Sequence, residues 1–444
     1  MNKENSSKYE VFQLGADKRC VLNTDTVNTQ RNNNVLVIGG TGAGKTTCVS
    51  NNMLLGLENS NAVVVCTKKG EMDTFSRILK SKGYNVCKID FMEPEQSEYG
   101  YDPLSGCSSD DDVTNLAQSI VYSDASGRKG SDPFWEDSSK NLLSVFLNYV
   151  KKGHYKKGKN MRAALDLMNG FHWRYRGDED TVPDEDDYEY GKYIVKLKKE
   201  HPLHFEMRNL KKYNLADSAI WENFDQLSNT TGGCVAGELS TAFNRVFKSD
   251  IRKIVSKAKM FDFKKLLEPK TVLFIRMSPV STEQHSFIGI LYSQLFKNLF
   301  ELAEKQPENV LPYPVHVICD DFATGCHVKG FDEQISIFRE KGISATILIQ
   351  SETQLVSIYG PYAATTIINN CDTIIYLGGM DLHTCQNMSI RVNRPIDEVL
   401  NMPIGREYFF RRGEKPVVTT RRNYWEHPEF VKYKEKKQSL SVTA

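Results

Sequence analysis

The sequence of 444 residues lacks the features that mark membrane, secreted and disulfide-rich proteins. No run approaches the roughly 18 consecutive apolar residues that a membrane-spanning helix needs. The polar start, Met1 to Tyr9, has no apolar secretory stretch. The ten cysteines include no Cys-x-x-Cys pair, which favours reduced thiols over a disulfide framework. These absences predict a protein that is made and kept in the cytoplasm.

The chain also lacks an excess of either charge, since its formal net charge is +1. General attraction to nucleic acid is therefore excluded as a bulk property, and any such contact would need a local basic surface or a lined channel. The length exceeds what a single hydrophobic core usually organises. It predicts either two domains or one large domain with an insertion.

What the sequence does contain is a phosphate-binding motif. Residues 39–46 read GGTGAGKT and fit G-x-x-x-x-G-K-[ST], directly after the apolar run Val35 to Ile38. In such a loop, backbone N–H groups surround the phosphates, Lys45 reaches the β- and γ-phosphates, and the Thr46 hydroxyl binds Mg²⁺. The motif predicts that the chain binds a nucleoside triphosphate. The predicted contact residues are Gly39, Gly40, Thr41, Gly42, Ala43, Gly44, Lys45, Thr46 and Thr47.

Short apolar runs recur along the chain and are typical of strands buried on both faces of a parallel sheet. They are Asn34 to Ile38, Ala62 to Cys66, Asn85 to Ile89, Val272 to Arg276, Val315 to Cys319, Ala345 to Ile349 and Thr373 to Leu377. Helical patterns such as Phe287 to Glu304 separate most of them. The alternation predicts a doubly wound α/β core, and Glu407 to Arg411 with Pro416 to Thr420 predict a terminal hairpin.

The long interval from residue 108 to residue 261 departs from this alternation and has almost no strand signal. It contains the sequence SDPFWE, where Asp132 can cap a helix, Pro133 suits the first helical position, and Leu142 and Phe146 share one face with Trp135. We expect an all-α domain inserted into the nucleotide-binding core. The predicted segments are residues 1–30 (N-terminal), 31–107 with 262–430 (core), 108–261 (insert) and 431–444 (polar tail).

Polar residues follow two of the predicted strands. Asp320 and Asp321 end the run from Val315 to Cys319, so both carboxylates should lie at the same sheet edge as the phosphate loop. Asp320 would hold Mg²⁺, and Asp321 would orient or deprotonate the attacking water. Gln350 follows the next strand, where an amide can sense the γ-phosphate.

Two further groups of residues have competing interpretations. Arg339 could reach the γ-phosphate of a neighbouring subunit and make hydrolysis depend on a ring, or it could be an ordinary surface arginine. The alternative of a zinc site rests on four residues that lack the spacing of known zinc motifs, namely His316, Cys319, Cys326 and His327.

A series of motifs from residue 32 to residue 430 resembles the VirD4/TraG-like type IV coupling proteins, the conjugal-transfer ATPases, in the form found in Gram-positive bacteria. In chain order they are GGTGAGKT, CTKKGEM, YDPL, SDPFWED, KTVLFIRMSP, YSQLF, CDDFA, FREKGISATILIQS, NNCDTIIYLGG, RRGEKPVV and EHPEF. The resemblance implies a RecA-like P-loop ATPase core with an inserted all-α domain, which binds ATP and Mg²⁺.

The same resemblance implies a homo-oligomer, a hexameric ring that delivers relaxase-bound single-stranded DNA to a secretion channel. It implies phosphate and Mg²⁺ binding by Lys45 and Thr46, metal binding by Asp320, a catalytic carboxylate at Asp321, a sensor at Gln350 and a finger at Arg339. The transmembrane helices that commonly precede the loop in this family are absent. We therefore expect an integral membrane component of the secretion system to hold the chain at the inner face of the membrane.

The departures from the family pattern leave alternatives open. Asp321 stands where the family usually has Glu, and Thr67-Lys68 replaces the usual Asp-Pro before Lys69-Gly70-Glu71. Because the shorter carboxylate puts hydrolysis in question, a nucleotide-binding adaptor that recruits substrate with little turnover is one alternative. A double-stranded DNA pump of the FtsK/HerA type is the other, although the long helical insert argues against it.

Overall fold

The computed structural model describes residues 9–122, 133–171, 188–200, 202–212, 215–322 and 327–442. They form two compact units. The first combines the residues up to Tyr99 with those from Lys259 onward, and the second extends from Gly100 to Ala258. The second unit thus begins and ends somewhat earlier in the sequence than the insert expected at 108–261.

The strands are numbered in chain order. They are β1 Val11–Gln13, β2 Val21–Asn23, β3 Val35–Ile38, β4 Asn61–Cys66, β5 Asn85–Asp90, β6 Thr271–Arg276, β7 Val315–Cys319, β8 Ile343–Ile349, β9 Thr373–Tyr376, β10 Arg406–Arg411 and β11 Val417–Thr420.

The helices are numbered in the same way. They are α1 Thr26–Thr29, α2 Asn51–Gly56, α3 Lys69–Ser81, α4 Asp110–Val121, α5 Pro133–Lys151, α6 Met161–Asn169, α7 Tyr188–Glu200, α8 Pro202–Arg208, α9 Leu215–Asp225, α10 Asn229–Val246, α11 Ser249–Val255, α12 Thr282–Glu304, α13 Phe331–Lys341, α14 Glu352–Asn369, α15 Leu382–Val392, α16 Ile396–Leu400 and α17 Pro428–Val442.

A mainly parallel sheet is the centre of the first unit. Within the described residues it has nine strands in the order β11-β10-β9-β3-β8-β7-β4-β6-β5. The strands from β9 to β5 in this order pair in parallel, whereas β10 is antiparallel to both β9 and β11. Every residue of β3, β4, β7 and β8 is buried, because helices cover both faces of the sheet. The predicted α/β core and its terminal hairpin are confirmed.

The two ends of the described chain also pack on this core, which the sequence analysis did not anticipate. Phe12 and Leu22 of the β1–β2 hairpin are buried, and the Phe12 ring meets the His316 ring edge-on with centroids 5.3 Å apart. At the other end, Phe430 and Tyr433 of α17 contact the core cluster. Helix α17 therefore includes most of the segment that was expected to be a polar tail.

The regular elements of the second unit are helices, within its described residues. Helix α5 begins at Pro133, the position that the sequence favours for a first helical residue, while Asp132 lies outside the described residues. Leu142 and Phe146 of α5 are fully buried, whereas Trp135 of the same predicted face is only partly buried. Across both units, no helix among the described residues is long and apolar enough to cross a lipid bilayer.

A buried asparagine joins the start of β4 to the segment that leads into β6. Asn61 is fully buried, and its Nδ2 donates to the carbonyl oxygens of Leu266 at 2.9 Å and Glu268 at 2.8 Å. Its Oδ1 accepts from the backbone N–H of Thr271 at 2.7 Å. Because the site excludes water, this side chain satisfies three backbone groups that would otherwise have no partner.

We expect Asn61→Ala to lower the free energy of unfolding by about 3 kcal/mol, since each lost buried hydrogen bond contributes roughly 1 kcal/mol. The midpoint of urea denaturation measures this effect. Asn85→Ala, at the exposed start of β5, is the matched control and should change the free energy of unfolding by less than about 0.5 kcal/mol. Equal midpoints for the two variants would contradict the role of Asn61.

Candidate nucleotide-binding site

The loop between β3 and the following helix has the backbone of a phosphate cradle. Gly42 and Gly44 have φ of 78° and 93°, values that only glycine adopts readily. The N–H of Gly40 donates to the carbonyl oxygen of Gly378 at 2.8 Å, which ties the loop to the end of β9. Residues Thr46–Ser50 form a wide helical turn that continues into α2. The loop therefore ends at a helix N-terminus, which favours anions.

Lys45 is folded against its own loop. Its Nζ donates to the carbonyl oxygen of Gly39 at 2.7 Å and lies 3.4 Å from that of Gly40, and the side chain is largely buried. Burial lowers the pKa of Lys45, while the negative charges of Asp321 and Asp320 oppose that shift. The ammonium group is thus bonded to the loop and feels the charge of the two carboxylates that follow β7.

Thr46 and Asp320, which follow β3 and β7, are hydrogen-bonded to each other at the carboxyl ends of these strands. The Thr46 Oγ1 donates to Asp320 Oδ2 at 2.8 Å, although the two residues are 274 positions apart. Burial, followed by the charge of Asp321, raises the pKa of Asp320 to about 6. A hydroxyl and a crowded, buried carboxylate are hard oxygen ligands next to a phosphate loop, which fits Mg²⁺. Phosphate oxygens and water would complete such a site.

The two predicted catalytic side chains lie at the same edge. Asp321 follows Asp320 directly and has φ of 51°, a left-handed conformation that Asp and Asn tolerate better than most residues. Gln350 is exposed at the end of β8, which lies between β3 and β7 in the sheet. Because parallel strands carry their ends to one edge, Gln350 lies between the phosphate loop and the two carboxylates.

Arg339 lies near the amino ends of the parallel strands, opposite the strand ends that carry the phosphate loop. It belongs to the last turn of α13, which ends just before β8 starts, and its Nη2 donates to the carbonyl oxygen of Thr26 at 2.8 Å. The seven residues of β8 span roughly 20 Å at about 3.3 Å per residue. Arg339 is therefore too far from the phosphate loop of its own chain to contact a nucleotide bound there.

An arginine that the sequence analysis missed lies beside the loop instead. Arg421 follows β11, and its Nη1 donates to the carbonyl oxygen of Ala43 at 2.6 Å. Its approach to the loop depends on the antiparallel β10–β11 pairing, which returns the chain to the edge where β3 ends. The pair Arg421-Arg422 after a strand was visible in the sequence, but the edge to which it returns was not.

The residues of the zinc alternative have other partners or lie outside the described residues. His316 Nδ1 is 2.6 Å from Ser344 Oγ, and its Nε2 is 3.8 Å from Glu10 Oε2. Burial raises the pKa of the Cys319 thiol to about 12. Cys326 is not among the described residues, and within those that are described no three His, Cys, Asp or Glu side chains converge as metal ligands.

Comparison with known proteins identifies the family. The sequence profile of type IV secretory system conjugative DNA transfer proteins matches residues 2–393. The chain belongs to this family. The resemblance expected from the motifs is thereby confirmed, whereas a search of the curated proteins found no match.

Solved structures of the conjugative coupling protein TrwB share the fold. The unbound form of TrwBdeltaN70 is 17% identical, with a TM-score of 0.61 over 88% of this chain and 84% of that chain. The TrwB complex with the non-hydrolysable ATP analogue ADPNP is also 17% identical, with a TM-score of 0.59 over 89% and 87% of the two chains. A further TrwB structure contains ADP and Mg²⁺ at 16% identity, with a TM-score of 0.55 over 89% and 88%.

VirB4 of Thermoanaerobacter pseudethanolicus is similar over 93% of this chain and 96% of its own, at 12% identity and a TM-score of 0.52. At these identities the likeness establishes a shared fold. The RecA-like core predicted from the motifs is confirmed at that level.

A buried glutamate lies on β10, within the electrostatic reach of Arg421. Glu407 is fully buried, and neither carboxylate oxygen has a hydrogen-bond partner among the described residues. Burial raises its pKa from the ordinary 4.5 to about 8, and the charge of Arg421 only partly offsets this shift. The folded chain therefore keeps a proton on Glu407 at a pH where the unfolded chain has lost it.

A raised carboxyl pKa contributes stability that is fully present below about pH 4.5 and is lost as the pH rises towards 8. We expect Glu407→Gln to remove this loss, so that the variant gains thermal stability over the parent as the pH rises from 5.5 to 8.5. Each unit of pKa difference corresponds to about 1.4 kcal/mol.

Thermal midpoints at several pH values measure this difference. Glu414→Gln, in the turn of the same hairpin, is the control because Arg411 and Arg31 lower the pKa of Glu414 against the opposing effect of burial. That variant should be less stable than the parent by a constant amount from pH 5.5 to 8.5, because Glu414 is ionised in both the folded and the unfolded chain across this range. Parallel pH profiles for Glu407→Gln and the parent would show that Glu407 does not titrate in this range.

Proposed function

We propose that this chain is the ATP-hydrolysing coupling protein of a conjugative DNA transfer system. It would bind ATP with Mg²⁺ and link a relaxase-bound single-stranded DNA to a type IV secretion channel. The observation that carries the proposal is the contact at 2.8 Å between the Thr46 hydroxyl and Asp320 beside Lys45, in a chain of this family. The TrwB complexes with ADPNP and with ADP and Mg²⁺ support the choice of ligands.

Each residue of the loop has a defined task in this proposal. The N–H groups at the end of the loop, up to Thr47, surround the phosphates, while that of Gly40 stays on the Gly378 carbonyl. Lys45 exchanges the carbonyl oxygens of Gly39 and Gly40 for phosphate oxygens. Thr46 and Asp320 hold Mg²⁺, which neutralises charge that develops on the phosphate oxygens. Lys45 and the N–H groups of the loop are therefore already in position to stabilise the negative charge that develops on the phosphate oxygens during hydrolysis.

Hydrolysis also needs an oriented water. We assign this task to Asp321, which would accept a proton from the water, and we assign recognition of the γ-phosphate to the exposed amide of Gln350. Both lie at the edge where the phosphate loop ends, so one water could contact both side chains and the phosphate.

The position of Arg339 supports the proposal that the chain assembles into a ring. Since Arg339 lies at the sheet edge opposite its own phosphate loop, it can act as an arginine finger only on the nucleotide of a neighbouring chain. A homo-hexameric ring would supply such a neighbour for every site. The relaxase, single-stranded DNA and an integral membrane component of the secretion system are the further partners we propose, on the basis of family membership.

We expect Lys45→Ala to abolish ATP binding and hydrolysis, because the loop then loses the cation that meets the phosphates. Titration calorimetry with ATP and Mg²⁺ measures binding, and phosphate release measures turnover. Lys18→Ala, a charge-matched change outside the loop, is the control and should bind and hydrolyse like the parent. Unchanged hydrolysis in Lys45→Ala would rule out the assigned nucleotide site.

The conformation and length of Asp321 distinguish the motor from the low-turnover adaptor. Its carboxylate is one methylene shorter than Glu and stands roughly 1.5 Å short of an ideal water position, a misplacement that can cost about a hundredfold in rate. Asp321→Glu should therefore speed hydrolysis, although the left-handed backbone favours Asp. Asp321→Asn keeps that backbone preference and should nearly stop turnover.

Steady-state phosphate release with and without single-stranded DNA decides between the two functions. A motor should turn over faster with DNA and lose activity in Asp321→Asn. Binding of ATP without DNA-stimulated turnover, and with equal rates for the parent and Asp321→Asn, would favour the adaptor.

A further inference from the structure

Hydrogen bonds join the segment after β11 to the phosphate loop and to helix α2, which follows the loop. The backbone N–H of Arg421 donates to the carbonyl oxygen of Gly405 at 2.9 Å, while its Nη1 donates to that of Ala43 at 2.6 Å. Asn52 Nδ2 donates to the carbonyl oxygen of Arg422 at 2.8 Å. Both the backbone and the side chain at residue 421 are thus held at one place beside the loop.

The guanidinium lies directly against Gly44. A Cβ at that glycine would come within 2.9 Å of Arg421 Nη1 and 3.5 Å of Cζ. Gly44 also has a φ of 93°, a conformation that disfavours other residues at this position. This contact brings a permanent positive charge next to the backbone that would surround the phosphates.

Most of the hydrogen-bonding capacity of Arg421 is unused. A guanidinium has five N–H donors, and only Nη1 has an acceptor among the described residues. No carboxylate of the described residues lies within 4.0 Å of it, and the side chain is only partly buried. The nearby Glu407 makes no ion pair with it within that distance, so the charge of Arg421 has no anionic partner there.

We propose that Arg421 is a second phosphate-binding cation, which contacts the phosphate chain of the nucleotide from the side of the β10–β11 hairpin. Lys45 approaches the phosphates from within the loop, and Arg421 approaches from outside it. This inference rests on the proposed ATP site and assigns a contact in the same chain, unlike the contact in trans of Arg339. A planar guanidinium can engage two phosphate oxygens at once.

The neighbouring residue provides a matched control. Arg422 has the same charge, but its recorded contact with the helix after the loop is made by its backbone carbonyl. Arg421→Gln removes the charge, and because its amide stands two bonds short of the position of Nη1, it also gives up the contact with the Ala43 carbonyl. Comparison with Arg422→Gln, together with thermal midpoints and salt dependence, therefore separates phosphate binding from support of the loop.

The experiment is competition of pyrophosphate against a fluorescent ADP analogue on the full chain in the presence of Mg²⁺. We expect Arg421→Gln to need at least tenfold more pyrophosphate than the parent, Arg421→Lys to fall between them, and Arg422→Gln to match the parent. The advantage of the parent over Arg421→Gln should also shrink as salt is raised, because it is electrostatic. Thermal midpoints without nucleotide should differ only slightly among the variants, since no more than one partly exposed hydrogen bond is lost.

Equal pyrophosphate affinity for Arg421→Gln and Arg422→Gln would overturn the inference while leaving the ATP site intact. So would a loss in Arg421→Gln that is accompanied by a lower thermal midpoint and is insensitive to salt, since this pattern indicates support of the loop. Failure of the parent itself to bind the ADP analogue would instead overturn the proposed function, and the inference with it.

Discussion

The candidate site depends on one constraint, the parallel pairing of β3, β8 and β7. Parallel strands end at the same edge, so the phosphate loop, Gln350 and Asp320 come together although they are far apart in the sequence. The contact between Thr46 and Asp320 joins residues 274 positions apart. With a different strand pairing, the phosphate loop, Gln350 and Asp320 would lie at the ends of separate strands and would not form one site.

Electrostatics at that edge explain why the site is suited to a charged ligand. Burial raises the pKa of Asp320, and Asp321 adds repulsion, so the carboxylates gain from any cation bound between them. Lys45 supplies one positive charge from inside the loop, and Arg421 supplies another from outside. A triphosphate with its Mg²⁺ brings negative charge to the two cations and positive charge to the two carboxylates at once, which stabilises the complex.

The two arginines lie at opposite ends of the parallel strands. Arg339 is in the last turn of α13, near the amino ends of the parallel strands, and Arg421 directly follows β11, near their carboxyl ends. In the proposed ring, the first could serve only a neighbour, whereas the second serves its own chain. Coupling between subunits and affinity for nucleotide can therefore depend on different residues.

By itself, the sequence determined the phosphate loop, the buried strands and the helical insert, because glycine spacing and the periodicity of apolar residues are local properties. The tertiary structure decided which edge each charged side chain occupies. Arg421 reaches the loop only through two antiparallel turns of the chain, and Asn61 and Glu407 gain their roles only from burial by distant segments. These features arise from contacts between residues remote in sequence, and no local pattern encodes them.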